Sequence, residues 1–427
     1  MANVFTHNFS RKLAKTFLLA FETERILSKN VNTQLLQGKF GDDSGEIVDF
    51  KRPTDYKSIR TTDGDVSGSD PSPILTGKAS GVVQDYFTVY TTFGEAEQAL
   101  RMNQLKELLA PMAKRIVTDL EVDYAKFMLK NVGLLAGDVG TPASKWEHVS
   151  LAGALLKASG VPADKPWYYA VNPFTQVALS GEQRSIGAGG PAGALISEAH
   201  RKAIIAGGYA GFDEVLTATS MATVTTGAAA DKAGVLAANP LVTYNDHAAT
   251  MIQDLSVSGF TAGMVVKAGE VVSIAGRYRL NLSTRQPIVD ASGSMIVYTG
   301  TVVEDVTLTG GAGVIKVAGP AIYEATGAYN TVYSAPIAGD VVTILNDASA
   351  LIQPNMFWHK DAFSIGSVPM EKLYSTDSLM ETHDGLMLRV SKGTGFLENK
   401  QLIRFDLRVA YAVLNPFFAG QGFGVAA

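Results

Sequence analysis

The sequence predicts an α+β fold that carries an inserted all-β barrel domain, and three observations support this. A stretch from about Glu95 to Asn131 keeps helical periodicity along its whole length. Strand-like alternation occurs on both sides of it, at Glu46–Pro53, around Val82–Phe93 and again within Leu402–Pro416. Between residues 221 and 346 the texture changes to short alternating runs of Val, Thr, Ala and Gly with few charges, the pattern of a separate barrel or sandwich.

Taken in order, the chain begins with Phe9, Leu13, Phe17 and Phe21, one apolar residue every four positions, and Ser10 is placed to cap the start. This spacing predicts an amphipathic helical arm, whose apolar stripe packs either on the chain's own body or on a neighbouring subunit. Ile47, Val48 and Phe50 form a strand that ends at Pro53. A polar run, Ser58 to Pro73, separates it from the strand-like VVQDYFTVYTTF segment. Two strands around a long Asp/Gly/Ser/Pro tip describe an extended β-hairpin. Its tip holds almost no apolar residue and cannot bury itself, so it is either a surface loop or a limb reaching across a subunit boundary.

In the long helix Leu105, Leu108, Met112, Ile116, Leu120 and Tyr124 follow steps of three and four. At 1.5 Å per residue such a helix extends roughly 54 Å, and Pro111 is expected to kink it near Ala110. Its acidic and basic residues balance, as on a solvated face. Beyond it, Leu151–Ala158 reads as helix, Pro166–Pro173 as a buried strand and Gly187–Gly193 as a loop. Inside the β-rich block AGEVVSI (Ala268–Ile274) returns as AGDVVTI (Ala338–Ile344), one turn-then-strand solution used twice. After residue 346 mixed texture resumes, and Phe405, Leu407 and Val409 alternate with Arg404, Asp406 and Arg408 as in a half-buried strand.

Composition narrows the function. The 427 residues include 42 Gly and no Cys, which removes disulfides and thiol chemistry. A charged fraction of 18%, with 36 basic against 41 acidic residues for a net charge of -5, leaves no basic stripe to bind nucleic acid. So few charges suggest a surface partly covered by other chains. No run approaches the ~18 to 20 apolar residues of a membrane span. Thr16–Phe21 is too short for a signal core, so the chain is read as made and assembled in a cytoplasm.

The six histidines show no metal-ligand spacing, Gly77-Lys78 lacks the rest of a phosphate loop, and no nucleophile elbow occurs. Loose G-x-G-x-x-A matches at Gly187–Ala192 and Gly422–Ala427 lack the strand or the helix a dinucleotide site needs. Acidic pairs at Asp42-Asp43, Asp63/Asp65 and Glu304-Asp305 read as solvated turns. No catalytic residue, cofactor or metal is expected.

Six stretches stand out: FKRP (Phe50–Pro53), RTTDGDVSG (Arg60–Gly68), NQLKELLAPMAKRIVTDLE (Asn103–Glu121), PNMFWHK (Pro354–Lys360), GSVPMEKLYSTDS (Gly366–Ser378) and IRFDLRVAYAVLNPFFAGQGFG (Ile403–Gly424). With the order of the segments, they resemble the major capsid (coat) protein of tailed double-stranded DNA bacteriophages, with its Hong Kong 97-type capsid fold. More closely they resemble the short-tailed Salmonella and Shigella phage coat proteins that carry an inserted β-barrel. The resemblance implies an N-terminal arm (1–40), an extended loop (41–92), a spine-helix domain (93–135) and a central domain (136–220). The inserted barrel (221–346) follows, and 347–427 return to the central and peripheral domains.

The implied role is a non-enzymatic icosahedral shell of hexamers and pentamers, assembled in the bacterial host. A scaffolding protein and a portal protein would be partners, and packaged double-stranded DNA would be enclosed without specific binding. Candidate subunit contacts are Phe9, Leu13, Phe17 and Phe21 on the arm, and Arg60, Asp63 and Asp65 on the hairpin tip. The alternatives are a bacterial nanocompartment shell protein of the same basic fold, a β-rich binding or adhesin protein, and a hydrolase with an unrecognised carboxylate pair.

Overall fold

The computed structural model describes residues 18, 21–22, 24–33, 47–52, 56, 58–68, 74–94, 105–186, 205, 208–325, 327–367, 370, 372, 378–381, 385–395 and 400–426. Strands β1 (Ile47–Lys51), β2 (Lys78–Val83) and β3 (Phe87–Gly94) precede helix α1 (Leu105–Lys130). β4 (Leu134–Ala136), α2 (Trp146–Ala158), β5 (Trp167–Val171), α3 (Pro173–Ile186) and β6 (Glu214–Thr217) follow. The β-rich block holds β7 (Val224–Thr225), β8 (Ala233–Leu236), the short α4 (Tyr244–His247), β9 (Ile252–Ser258), β10 (Met264–Val266) and β11 (Val271–Tyr278). It continues with β12 (Val297–Val302), β13 (Val306–Leu308), β14 (Gly313–Ala318), β15 (Val341–Ile344) and β16 (Leu351–Ile352). The chain closes with β17 (Asn355–His359), β18 (Phe363–Ser367), β19 (Ser378–Glu381), β20 (Met387–Gly395), β21 (Lys400–Leu407), β22 (Val409–Val413) and β23 (Ala419–Gly422).

The chain divides into two compact units. The first comprises Met1–Asp49, Ser80–Ala125 and Phe363–Ala412. Its antiparallel sheet runs β19-β20-β21-β3, and a second sheet runs β1-β2-β22-β18. Two strands expected as single runs are each divided. Val82–Phe93 splits into β2 and β3, which lie in different sheets, and the run through Arg408 splits into β21 and β22. At these breaks the chain changes sheets, and the Gln84 amide donates to the Val409 carbonyl at 2.8 Å.

Phe405, Leu407 and Val409 are fully buried, as their alternation requires, but Asp406, expected on the solvated face, is buried as well. The register explains this: Arg389, Asp406 and Thr88 stand opposite one another on three adjacent strands. Asp406 accepts from Arg389 Nη2 at 2.7 Å, Arg404 Nε at 2.6 Å and Thr88 Oγ1 at 2.7 Å. Helix α1 contributes Ile116, Val117, Leu120 and Tyr124 to the core of this unit. The helix runs through Pro111, and its described 26 residues span about 39 Å. Residues 95–104, the expected first part, lie outside the described residues.

The second unit comprises Phe50–Ala79, Lys126–Ala362 and Val413–Ala427. Its mixed sheet runs β4-β23-β17-β5-β6. β5 and β17 are buried at every residue, which is why Trp167–Val171 reads as an unbroken apolar run rather than an alternating one. Val149, Ala152 and Leu156 of α2 cover this sheet together with Phe212. Helix α3 was not expected, because Pro173 reads as the end of the preceding strand. It is instead the first helical residue: Asn172 Oδ1 accepts from the Thr175 amide at 2.7 Å, a side-chain cap that opens the helix.

The barrel closes in the order β11-β12-β14-β9-β8-β15, with β15 returning to β11. The two echo segments are the strands that meet at this seam: Val272, Ser273 and Ile274 face Ile344, Thr343 and Val342. Their turns match as well. Gly269 and Gly339 both hold positive φ, 95° and 91°. The acid that follows each glycine accepts from the amide three residues before it, Glu270 from Lys267 at 2.7 Å and Asp340 from Ile337 at 2.9 Å. Glu270 also holds Lys232 at 3.1 Å in a buried pair, and Asp340 receives both Nε and Nη2 of Arg277 at 2.6 Å. Bonds to main-chain acceptors help to join the barrel to the sheet and helix beside it. Arg279 donates to the carbonyls of Gly133 and Thr299, Asn281 to that of Ala158 at 2.8 Å, and Gln421 to that of Gly269 at 2.9 Å.

The matched turns differ in room, which sets a direct comparison. A Cβ at Gly339 would meet nothing within 4 Å, whereas one at Gly269 would lie 2.9 Å from Val224 Cγ2. Gly339→Ala should therefore cost only the backbone strain, about 1–2 kcal/mol. Gly269→Ala should cost that plus about 1–3 kcal/mol of overpacking. Urea unfolding of the two variants measures the difference, and equal losses would refute the packing argument.

Asp406 sets a pH dependence. Burial opposes its charge, but the hydrogen bonds from Thr88, Arg389 and Arg404 outweigh that and hold the carboxyl below its ordinary value. Its stabilising effect is thus present above the unfolded value of about 3.9 and disappears as pH falls through the folded one. Asp406→Asn breaks the buried pair with Arg389 and should lose about 3–5 kcal/mol at neutral pH, and its stability should fall less steeply than the parent's below about pH 5. Urea midpoints measured across this range report both effects.

Candidate assembly surfaces

The hairpin tip is built from polar residues that bond to their own backbone. The Asp65 amide donates to Asp63 Oδ1 at 3.1 Å, and the Ser67 amide donates to Asp65 Oδ1 at 2.9 Å. Gly64 between them takes φ of 80°, which a side chain would resist. The Ser67 amide, followed by its hydroxyl, keeps the Asp65 carboxyl below the ordinary carboxylate range. Every residue from 58 to 68 is exposed, so Arg60, Asp63 and Asp65 stand together on one outward tip. Tyr56, Val66 and Ile74 on the same segment are also exposed, at 56%, 54% and 72%.

The base of the hairpin is made differently. Arg52 is buried, and its guanidinium donates to three main-chain carbonyls: Lys78 at 2.9 Å, Val413 at 3.1 Å and Leu414. Burial, partly offset by Tyr244, pushes Arg52 down to about 10, so it remains charged at neutral pH. Arg52 has no role expected from the sequence; its signal is the basic pair Lys51-Arg52 before Pro53 at the end of a strand.

Of the arm residues, Phe9, Leu13 and Phe17 lie outside the described residues. Phe21 is fully buried within its own unit, with the Arg25 guanidinium 5.7 Å from its ring centroid. Just after it, the buried Glu121 of α1 accepts from the Leu27 amide at 2.7 Å, the Ser28 amide at 3.0 Å and the Ser28 hydroxyl. Arg25 Nη2 closes the same turn on the Ser28 carbonyl at 2.8 Å. Residues 25–28 are thereby tied to the spine helix of the same subunit.

Other exposed apolar positions escaped the sequence reading. Phe174 and Val177, 87% and 61% exposed, are three residues apart on α3 and share a face. Leu351 is 73% exposed. The described histidines have structural partners. His148 Nδ1 accepts from the Ser144 amide at 3.1 Å, and the His247 ring nitrogens lie 2.9 and 2.8 Å from the Ile252 and Leu241 carbonyls. His359 Nδ1 accepts from the Asp361 amide at 3.1 Å, and burial lowers its pKa despite Asp361 and Asp164. Among the described residues no group of three or more His, Cys, Asp or Glu is placed to hold a metal ion. Among them, no helix is long and apolar enough to cross a membrane.

Comparison with known proteins identifies the family. The model of the P22 coat protein (gene protein 5) matches residues 1–424. The major capsid protein of Acyrthosiphon pisum secondary endosymbiont phage 1 is 34% identical over 428 residues, covering 99% of this chain and 100% of that one. Among solved structures, one from Mycobacterium phage Che8 covers 93% of this chain and 90% of its own at 9% identity and a TM-score of 0.43. The capsid of Ralstonia phage GP4 covers 95% and 91% at 8% identity and a TM-score of 0.42. A family match over almost the whole length, with a relative about one-third identical from end to end, shows that this chain belongs to the P22 coat protein family: it is a major capsid protein, not an enzyme, that assembles with copies of itself into the shell of a phage head.

Proposed function

We propose that the shell is a closed icosahedron of hexamers and pentamers, assembled in the host cytoplasm around a scaffolding protein with a portal protein built in, and enclosing double-stranded DNA without specific contacts. The observation that carries this reading is the tip at residues 58–68: wholly exposed, ordered by its own Asp63 and Asp65, and flanked by apolar side chains that water disfavours. Such a segment suits the inside of an intersubunit contact. The excess of acidic residues, 41 against 36, supports enclosure of DNA rather than adhesion to it.

In this reading the domains are the arm (1–40), the extended loop (41–92), the peripheral spine-helix domain (93–135), the central domain (136–220) and the inserted barrel (221–346), with 347–427 returning to the central and peripheral domains. Arg60, Asp63 and Asp65 contact a neighbouring subunit through the tip, and Phe9, Leu13 and Phe17 do so through the arm. Phe21 acts as the arm's root, since its ring is covered within its own subunit.

The full chain coexpressed with a scaffolding protein should form megadalton shells that sediment as one class and appear closed in negative stain. Persistent monomers would overturn the proposal. Removing residues 1–17 should reduce shell yield severalfold while leaving circular dichroism and the thermal midpoint of the monomer near the parent's, because the Glu121 contacts to Leu27 and Ser28 remain. Removing residues 1–30 takes those contacts away and should lower the midpoint as well. Normal shell yield from the shorter truncation would remove the arm from the assembly interface.

A further inference from the structure

The base of the hairpin is held by segments that connect barrel strands. Ala248 follows α4, between β8 and β9, and its carbonyl accepts from the Lys78 amide at 2.9 Å. Tyr329 lies between β14 and β15, and its hydroxyl donates to the Leu75 carbonyl at 3.2 Å. The Tyr329 ring stacks on that of Tyr244, with centroids 3.8 Å apart and planes inclined by 10°. The Leu75 side chain packs against the cluster of Tyr244, Met251 and Ile322.

Gly77 shows how closely the parts fit. A Cβ there would lie 2.5 Å from Tyr244 Oη and 2.9 Å from the Ala248 carbonyl oxygen, so only glycine lets the hairpin strand reach this surface. On the other side, the Arg52 amide donates to the Gly77 carbonyl at 2.8 Å. Both strands of the hairpin base are therefore fixed, one through the other.

We propose that the Tyr244–Tyr329 stack and the Ala248 carbonyl form a clamp through which the inserted domain sets the direction in which the hairpin leaves its subunit. The inference rests on the reading of the tip as an intersubunit contact. Arg60 is eight positions along the chain from Arg52, a reach of up to about 26 Å, so a rotation of about 10° at the base would move the tip by up to about 5 Å. Whether repeated contacts close into a shell or run on as an open assembly depends on the angle between neighbours. The clamp thus gives the inserted domain a part in shell closure through the hairpin of its own subunit.

Two variants test the clamp. Tyr329→Phe removes the bond to Leu75 and keeps the stack; Gly77→Ala forces the strand off Tyr244 and the Ala248 carbonyl. In the full-length monomer, hydrogen exchange at the Lys78 and Arg52 amides should quicken about tenfold in Tyr329→Phe, with the global unfolding midpoint near the parent's. Shells formed under the parent's conditions should then vary in diameter or stay open. Gly77→Ala should show the same defect more strongly, and adding Tyr244→Phe should restore part of it.

Unchanged exchange in Tyr329→Phe would overturn the clamp, and so would quickened exchange with shells as uniform as the parent's. A separate label tests the reading beneath it. The chain has no cysteine, so Ser67→Cys can be labelled alone with a maleimide. If its reactivity is the same in shells and monomers, the tip is not an intersubunit contact. If reactivity falls on assembly while the clamp variants assemble normally, the contact stands and the clamp fails.

Discussion

At several junctions between distant segments of this chain, the groups that must be satisfied are main-chain amides and carbonyls. Each of these costs about 1–3 kcal/mol if it is buried without a partner. The chain meets this cost with side chains that reach backbone. Glu121 takes the amides of Leu27 and Ser28. Arg52 gathers the carbonyls of Lys78, Val413 and Leu414. Arg279 bridges Gly133 and Thr299, and Gln421 reaches Gly269. A backbone group accepts such a partner whatever its own side chain is, so the bond itself dictates the residue type on one side of the junction.

The low charged fraction takes on a second meaning in the structure. Several of the few charges lie inside: Lys232 with Glu270, Arg389 with Asp406, and the partly buried Arg277 with Asp340. Buried pairs of this kind add little net stability, but they tolerate no misplacement, since a separated partner is left charged in a poor solvent. The surface left for contact with other copies is correspondingly poorer in charge than the composition alone implies.

What could be read from the sequence follows from which signals are local. The barrel, the spine helix and the buried Trp167–Val171 strand were legible because periodicity and unbroken apolar runs record burial directly. The repeated AGEVVSI and AGDVVTI segments were visible as an echo, but not as partners at the seam, because strand pairing depends on the whole barrel. Helix α3 was hidden by Pro173, a residue equally at home after a strand and at the start of a helix. Asp406 looked like a solvated residue because two of its partners, Arg389 and Thr88, sit on neighbouring strands. Around the hairpin, the exposed polar tip was legible and the roles of Arg52 and Gly77 were not, since both are defined by contacts with residues far along the chain.

The position of the barrel in the chain also bears on how a subunit is made. All six barrel strands are contained within Ala233–Ile344, so the insert can finish folding from residues that emerge from the ribosome together. The sheet beside it cannot: β4 and β5 are synthesised before the barrel, and their antiparallel or parallel neighbours β17 and β23 only after it. During that interval the apolar strand Trp167–Val171 has no β17 to cover it, while the barrel can already be complete. A folded insert would then bring the two halves of its host close together and shorten the search that completes the sheet. For a protein needed in many copies at once, that interval is when an unfinished subunit is most exposed to wrong partners.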